Sequence, residues 1–185
     1  MYLILIIGHT GQGKTPYVNR LLCNRHLPPR PPEVKGKYTT TARSANQYIF
    51  DVNNEYILPD DRKMIFPKMR HIDGSIKEFI LKAGKLKKTN IVIEDATGFL
   101  EGRQSENFRQ MITAKMFTQN NYIILFHAIS LVPPFMMRLA NTVVLFKTVE
   151  NASEIQKKFG NENLTNAFLT LQKEKKYSYR EVKLI

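Results

Sequence analysis

The chain has 185 residues, enough for one domain with a sizeable core. At 43% hydrophobic it is not a disordered composition, its one cysteine excludes a disulfide framework and fits an intracellular setting, and no apolar run approaches the roughly 20 residues of a membrane helix. Lys and Arg total 28 against 16 Asp and Glu, and the resulting +12 favours a polyanionic partner, nucleic acid first.

Met1 to Ile7 is apolar without alternation and runs straight into Gly8, which predicts a buried strand and not a secretory leader. Thr15 to Arg25 has helical spacing through Val18, Leu21 and Leu22, and Pro16 is tolerated in the first turn. Pro28, Pro29, Pro31 and Pro32 impose an extended loop. Asn46 to Val52 predicts a second strand, and Pro59 to Pro67 an irregular stretch.

Ser75 to Leu86 predicts a helix, with Ser75 and Glu78 as a capping box and Ile76, Phe79, Ile80 and Ala83 as the apolar face. Lys77, Lys82, Lys85, Lys87 and Lys88 give it a basic side and tail. Asn90 to Asp95 is a third strand with acids at its tip. Glu106 to Phe117 is helical, and Tyr122 to His127 and Thr142 to Lys147 are strands. Ser153 with Gln156 marks the cap of another helix, Leu164 to Leu171 a further one, and Tyr177 to Ile185 a terminal strand. Strands alternating with helices predict an α/β fold with a mostly parallel sheet covered on both faces.

Gly8-His9-Thr10-Gly11-Gln12-Gly13-Lys14-Thr15 matches G-x-x-x-x-G-K-[ST] throughout, between a strand and a helix. Gly8 and Gly13 permit backbone angles that a Cβ forbids, so N–H groups turn inward on phosphate. The following helix N-terminus adds positive potential. Lys14 is placed to reach the β- and γ-phosphates, and Thr15 to offer a hydroxyl to Mg²⁺.

Such a cradle needs a carboxylate near the metal and a group that positions water. Glu94 and Asp95 end the buried run Ile91-Val92-Ile93, and the pair resembles a Walker B element with its acids in inverted order. Glu94 is assigned to the Mg²⁺ shell and Asp95 to water activation, with the exchanged assignment open. His127 ends the next strand, where a polar group can sense the γ-phosphate, and Ser130 lies three residues on. His9 is a loop position inside the cradle.

Taken in order, GHTGQGKT, FDVNNEY (Phe50 to Tyr56), IVIEDAT (Ile91 to Thr97), IILFHAISLVP (Ile123 to Pro133) and RLANTVVLFK (Arg138 to Lys147) resemble the FtsK/HerA branch of P-loop ATPases. Within it the chain is most similar to the small genome-packaging ATPases of membrane-containing phages and archaeal viruses, with the Zot-like phage assembly ATPases as near relatives. Asp51, Glu55 and Tyr56 match the family's D-x-x-G-E-Y turn, with Asn54 in the glycine place. His127 falls where the family carries a sensor, usually Gln. Arg138 falls at a family arginine. The segment Ala114 to Gln119 lacks the arginine that often acts across a subunit boundary, which leaves Arg103, Arg109 and Arg138 as finger candidates.

The resemblance implies a RecA/FtsK-HerA-like three-layer fold in a single domain, with a motor core over 1–148 and C-terminal helices and a strand over 149–185. It implies ATP and Mg²⁺ as ligands, a homo-oligomeric, hexameric ring that threads DNA, and viral capsid or membrane-vertex proteins as further partners. Virion or host cytoplasm is the implied location. Three other functions are compatible with a phosphate cradle: a Zot-like assembly or export ATPase, whose relatives carry a membrane segment; a P-loop kinase, for which no arginine-rich lid is evident; and a nucleotide-gated binding module, which has no use for the Glu94-Asp95 pair.

Overall fold

The computed structural model describes residues 1–22, 46–51, 56, 64–65, 72–99 and 103–184. The strands are Leu3–Ile7 (β1), Asn46–Phe50 (β2), Met64–Ile65 (β3), Thr89–Ile93 (β4), Asn121–Phe126 (β5), Thr142–Phe146 (β6) and Tyr179–Lys183 (β7). They form one sheet in the order β3-β2-β4-β5-β1-β6-β7. β1 to β6 run parallel, and β7 joins β6 antiparallel. β1 lies between β5 and β6, with Leu5 level with Ile124 and Val143. A strand buried on both faces needs an unbroken apolar run, and LILII supplies it.

The helices are Lys14–Leu22 (α1), Ile72–Ala83 (α2), Arg103–Thr113 (α3), Lys115–Thr118 (α4), Pro134–Leu139 (α5), Ala152–Phe159 (α6) and Glu162–Gln172 (α7). Strand side chains alternate between faces, so each face buries its own set. On one face Leu3, Leu5, Tyr48, Ile91, Tyr122 and Val143 pack against residues of α2, α3, α5, α6 and α7. On the other, Ile6, Val92, Ile123, Leu125 and Val144 pack against Tyr17, Val18 and Leu22 of α1. The three-layer, mostly parallel α/β architecture expected from the sequence is the observed one. No helix among the described residues is long and apolar enough to cross a membrane.

The anchor of α2 is Phe79, fully buried, stacked 4.4 Å from the Tyr48 ring and edge-on to Phe50 at 5.3 Å. Its outer side carries the Glu78–Lys82 pair at 2.5 Å, while Lys85, Lys87 and Lys88 beyond its end are exposed. Phe79→Ala is expected to cost about 3–5 kcal/mol of unfolding free energy, because a large aromatic leaves a cavity. Urea denaturation checks it; a loss near zero means α2 is not docked through this ring.

Several local expectations are corrected. α2 starts three residues before Ser75, which places Ser75 inside the first turn and not at the cap. The predicted helix over Glu106 to Phe117 is two helices, α3 and α4; Thr113 Oγ1 turns back on the Arg109 and Gln110 carbonyls, and Gln119 ends α4 in the left-handed region at φ 56°. Asn151, not Ser153, caps α6: its side chain accepts from Ser153 N at 3.0 Å. Gln156 is one turn inside and accepts from Thr165 Oγ1 at 2.7 Å. Within the stretch expected to be irregular, Met64 and Ile65 add a two-residue edge strand to β2. The four prolines of 28–32, Cys23, and positions 52–55 of the FDVNNEY turn lie outside the described residues.

Candidate active site

Parallel strands end together, so the residues following β1, β4, β5 and β6 meet at one edge of the sheet. Gly8 follows β1 and is clamped there. Its N–H donates to Phe126 O at 3.1 Å, and the His9 N–H donates to Lys147 O at 2.9 Å. Gly11 and Gly13 then take φ of 74° and 94°, where side chains are strained. Tyr17 N donates to Gly13 O at 3.1 Å and opens α1. His9, Thr10 and Gly11 are exposed at the rim, Gln12 and Gly13 partly so, and Lys14 and Thr15 are buried.

Gly8, expected to need the same freedom, has no positive φ; its reason is steric. A Cβ there would lie 2.5 Å from Phe146 Cβ, an atom fixed to the β6 backbone. Gly8→Ala is expected to cost about 1–3 kcal/mol through overpacking. Thermal unfolding tests this; an unchanged midpoint would show that the loop moves aside freely.

The Lys14 ammonium folds over the turn, donating to Gly8 O at 2.6 Å and His9 O at 3.2 Å. Thr15 Oγ1 donates to Glu94 Oε1 at 2.8 Å in a buried contact. Asp95 takes a left-handed backbone, φ 49°, which aspartate tolerates better than most residues. That twist separates two adjacent carboxylates: Glu94 goes inward to Thr15, and Asp95 stays half-exposed with Oδ1 3.2 Å from His127 Nε2. The other ring nitrogen, Nδ1, is 3.4 Å from Thr10 Oγ1 and 3.5 Å from Lys14 Nζ. His127 thus bridges the outer acid and the cradle. Ser130 does not: its N–H donates to Glu150 Oε1 at 2.5 Å, its carbonyl accepts from Lys158, and its side chain is exposed at the surface.

The arginines lie elsewhere. Arg138 is exposed near the end of α5 and lines a cavity of about 330 Å³ with Lys158, Phe159 and Leu184. Three residues on, the Asn141 side chain accepts from Leu3 N at 2.8 Å, at the start of β1 and so at the sheet edge opposite the cradle. The Arg109 guanidinium sits 5.7 Å over the Phe135 ring. Arg103 opens α3, and its side chain lies outside the described residues. In the segment without an arginine, Lys115 donates to Leu139 O at 3.0 Å, and burial pulls its pKa down. This lysine ties α4 to the end of α5.

Sequence reasoning missed three supports of the site. Glu150 receives the backbone N–H of both Ile129 and Ser130 and so shapes the turn after His127. Phe146 backs Gly8, and Tyr177 lies against Gly13. Each belongs to a segment distant in sequence, and even for Phe146, inside the predicted strand Thr142 to Lys147, nothing local marks the contact with the glycine turn. Asp51 Oδ2 accepts from Tyr56 N at 3.1 Å, so the two ends of the FDVNNEY turn are joined inside the protein.

No protein-family profile and no curated protein sequence matches the chain. Solved structures do. The DNA-packaging ATPase B204 from Sulfolobus turreted icosahedral virus superposes with a TM-score of 0.67 at 17% identity, over 99% of this chain and 92% of that one. The genome-packaging NTPase B204 of Sulfolobus turreted icosahedral virus 2, in complex with AMPPCP, gives 0.69 at 11% identity over 99% and 92%. EssC (ATPases 2 and 3) from Geobacillus thermodenitrificans gives 0.54 at 16% identity, over 86% of this chain and 34% of that one. The chain therefore has the P-loop fold of these genome-packaging NTPases and of the EssC ATPases.

Proposed function

We propose that this protein is an ATP-hydrolysing nucleic-acid translocase of the viral genome-packaging type. One observation carries the catalytic half of that reading: Thr15 of the cradle meets Glu94 at 2.8 Å, while His127 joins Asp95 to Lys14 and Thr10 beside it. A hydroxyl and a carboxylate converging in a buried spot fit Mg²⁺, which is held through one or two carboxylates together with substrate phosphates. Thr15 and Glu94 would hold the ion, which would supply charge neutralisation to the phosphates. Lys14 exchanges the carbonyls of Gly8 and His9 for phosphate oxygens. Asp95 orients and deprotonates the attacking water. His127 touches the γ-phosphate and carries its loss to Asp95.

The packaging half rests on the fold and on the net charge of +12, and it calls for an arginine acting in trans. Arg138 lies at the edge opposite its own cradle, so it serves catalysis only by reaching a neighbour's; Arg109 and Arg103 are the other candidates. A ring, hexameric by resemblance, supplies such neighbours and a channel for DNA. Positive charge supplied in trans couples hydrolysis to assembly.

The test is an ATPase assay with and without DNA across a range of protein concentrations. The expected result is turnover per subunit that rises with concentration and again with DNA. Hydrolysis by an assembled protein that is indifferent to DNA would remove translocation from the reading, and no hydrolysis under any condition would remove the enzyme.

A further inference from the structure

On the flank away from Glu94 and Asp95, two aromatic rings line the cradle, the buried Phe146 and the exposed Tyr177. Tyr177 lies in the turn between α7 and β7, and its Cδ1 is 3.4 Å from where a Cβ on Gly13 would lie. Its backbone is left-handed at φ 70°, an unfavourable state for an aromatic residue. Contacts around the turn hold it there: Ser178 N donates to Lys175 O, the Lys147 ammonium binds the Gln172 and Glu174 carbonyls, and Arg180 pairs with Glu174. Yet the Tyr177 side chain is not buried by this effort; the residue is 48% exposed.

The site has a direction. Glu94, Asp95 and His127 come from β4 and β5, on one side of β1, and mark the γ-phosphate end. β6 and β7 are on the other side. A triphosphate lying along the cradle therefore sends its nucleoside end toward β6 and β7, past the first turn of α1. Pro16 lies in that first turn, three residues after Gly13. Pro16 is exposed and has no N–H to give a phosphate, so the first turn offers the inner end of the nucleotide one donor fewer.

We propose that Tyr177 is the platform on which the nucleobase stacks. This rests on reading Gly8 to Thr15 as a triphosphate cradle, and it adds the contact that recognises the base. The Lys176 ammonium lies 5.0 Å over the Tyr177 ring. Exposed cation–π contacts are weak, so a base displaces it. Stacking on an aromatic face is tolerant of base identity, because every base offers a π-face.

The experiment compares ATP with inorganic tripolyphosphate, which has the phosphates but no base, by calorimetry on the full chain. Tyr177→Ala is expected to weaken ATP about 5- to 100-fold and leave tripolyphosphate unchanged. Tyr177→Phe is expected to keep both affinities, since the ring and not the hydroxyl does the stacking. Three results overturn the proposal: ATP affinity unchanged in Tyr177→Ala, an equal loss for both ligands, or a loss for ATP in Tyr177→Phe as large as in Tyr177→Ala. If the unaltered protein binds neither ligand, the cradle reading itself fails, which is a distinct outcome.

Discussion

Lys14→Ala is expected to weaken ATP binding by about 100-fold or more. The ammonium is buried at the base of the turn, where its hydrogen bonds to Gly8 O and His9 O hold it against the path of the phosphates. Hydrogen bonds to charged groups contribute about 1.5–3 kcal/mol each, and two lost phosphate contacts at 1.4 kcal/mol per tenfold reach that factor. The fold should survive, because Gly8 and His9 keep their backbone bonds to Phe126 O and Lys147 O. Calorimetric titration with ATP, paired with a thermal melt, separates the two. Wild-type affinity in a folded Lys14→Ala protein would mean that phosphate is not held here.

Asp95→Asn is expected to bind ATP within about threefold of the unaltered protein while turnover falls about 10²- to 10⁴-fold, the range attributed to a positioned acid or base. Asparagine has nearly the same shape and also tolerates the left-handed backbone at φ 49°, so the turn is preserved. What disappears is the carboxylate 3.2 Å from His127. Glu94→Gln makes the contrast, because it alters the group that meets Thr15 and should raise the magnesium concentration needed for turnover. Single-turnover hydrolysis and a magnesium titration of both variants decide between the two acids. If Asp95→Asn shifts the magnesium requirement and Glu94→Gln loses turnover at saturating magnesium, the roles are exchanged.

The two acids show what a linear reading can and cannot reach. Their placement at the tip of Ile91-Val92-Ile93 was legible, because a fully buried strand must be apolar and its polar tip stands out. Which acid faces inward was not legible, since that follows from the backbone twist at Asp95. The pair His127 and Ser130 divides in the same way. Both follow β5, but Glu150 from beyond β6 captures the Ser130 and Ile129 amides and leaves His127 at the cradle. Helix boundaries were less legible than helix faces. Ile76, Phe79, Ile80 and Ala83 are buried as their spacing requires, whereas capping depends on one local hydrogen bond, and at α6 Asn151 makes it in place of Ser153.

By itself the sequence determined the layered α/β architecture and the glycine turn from Gly8 to Thr15, because both are written in local patterns: unbroken apolar runs, a 3.6-residue spacing, and eight consecutive residues between a strand and a helix. The tertiary structure alone decided which distant groups the cradle meets. Glu94 on Thr15, His127 between Asp95 and Lys14, Phe146 behind Gly8 and Tyr177 on Gly13 all depend on strand order, which places β5 and β6 on either side of β1. Strand order is a property of long-range pairing, and a parallel sheet reveals it only when the chain has closed.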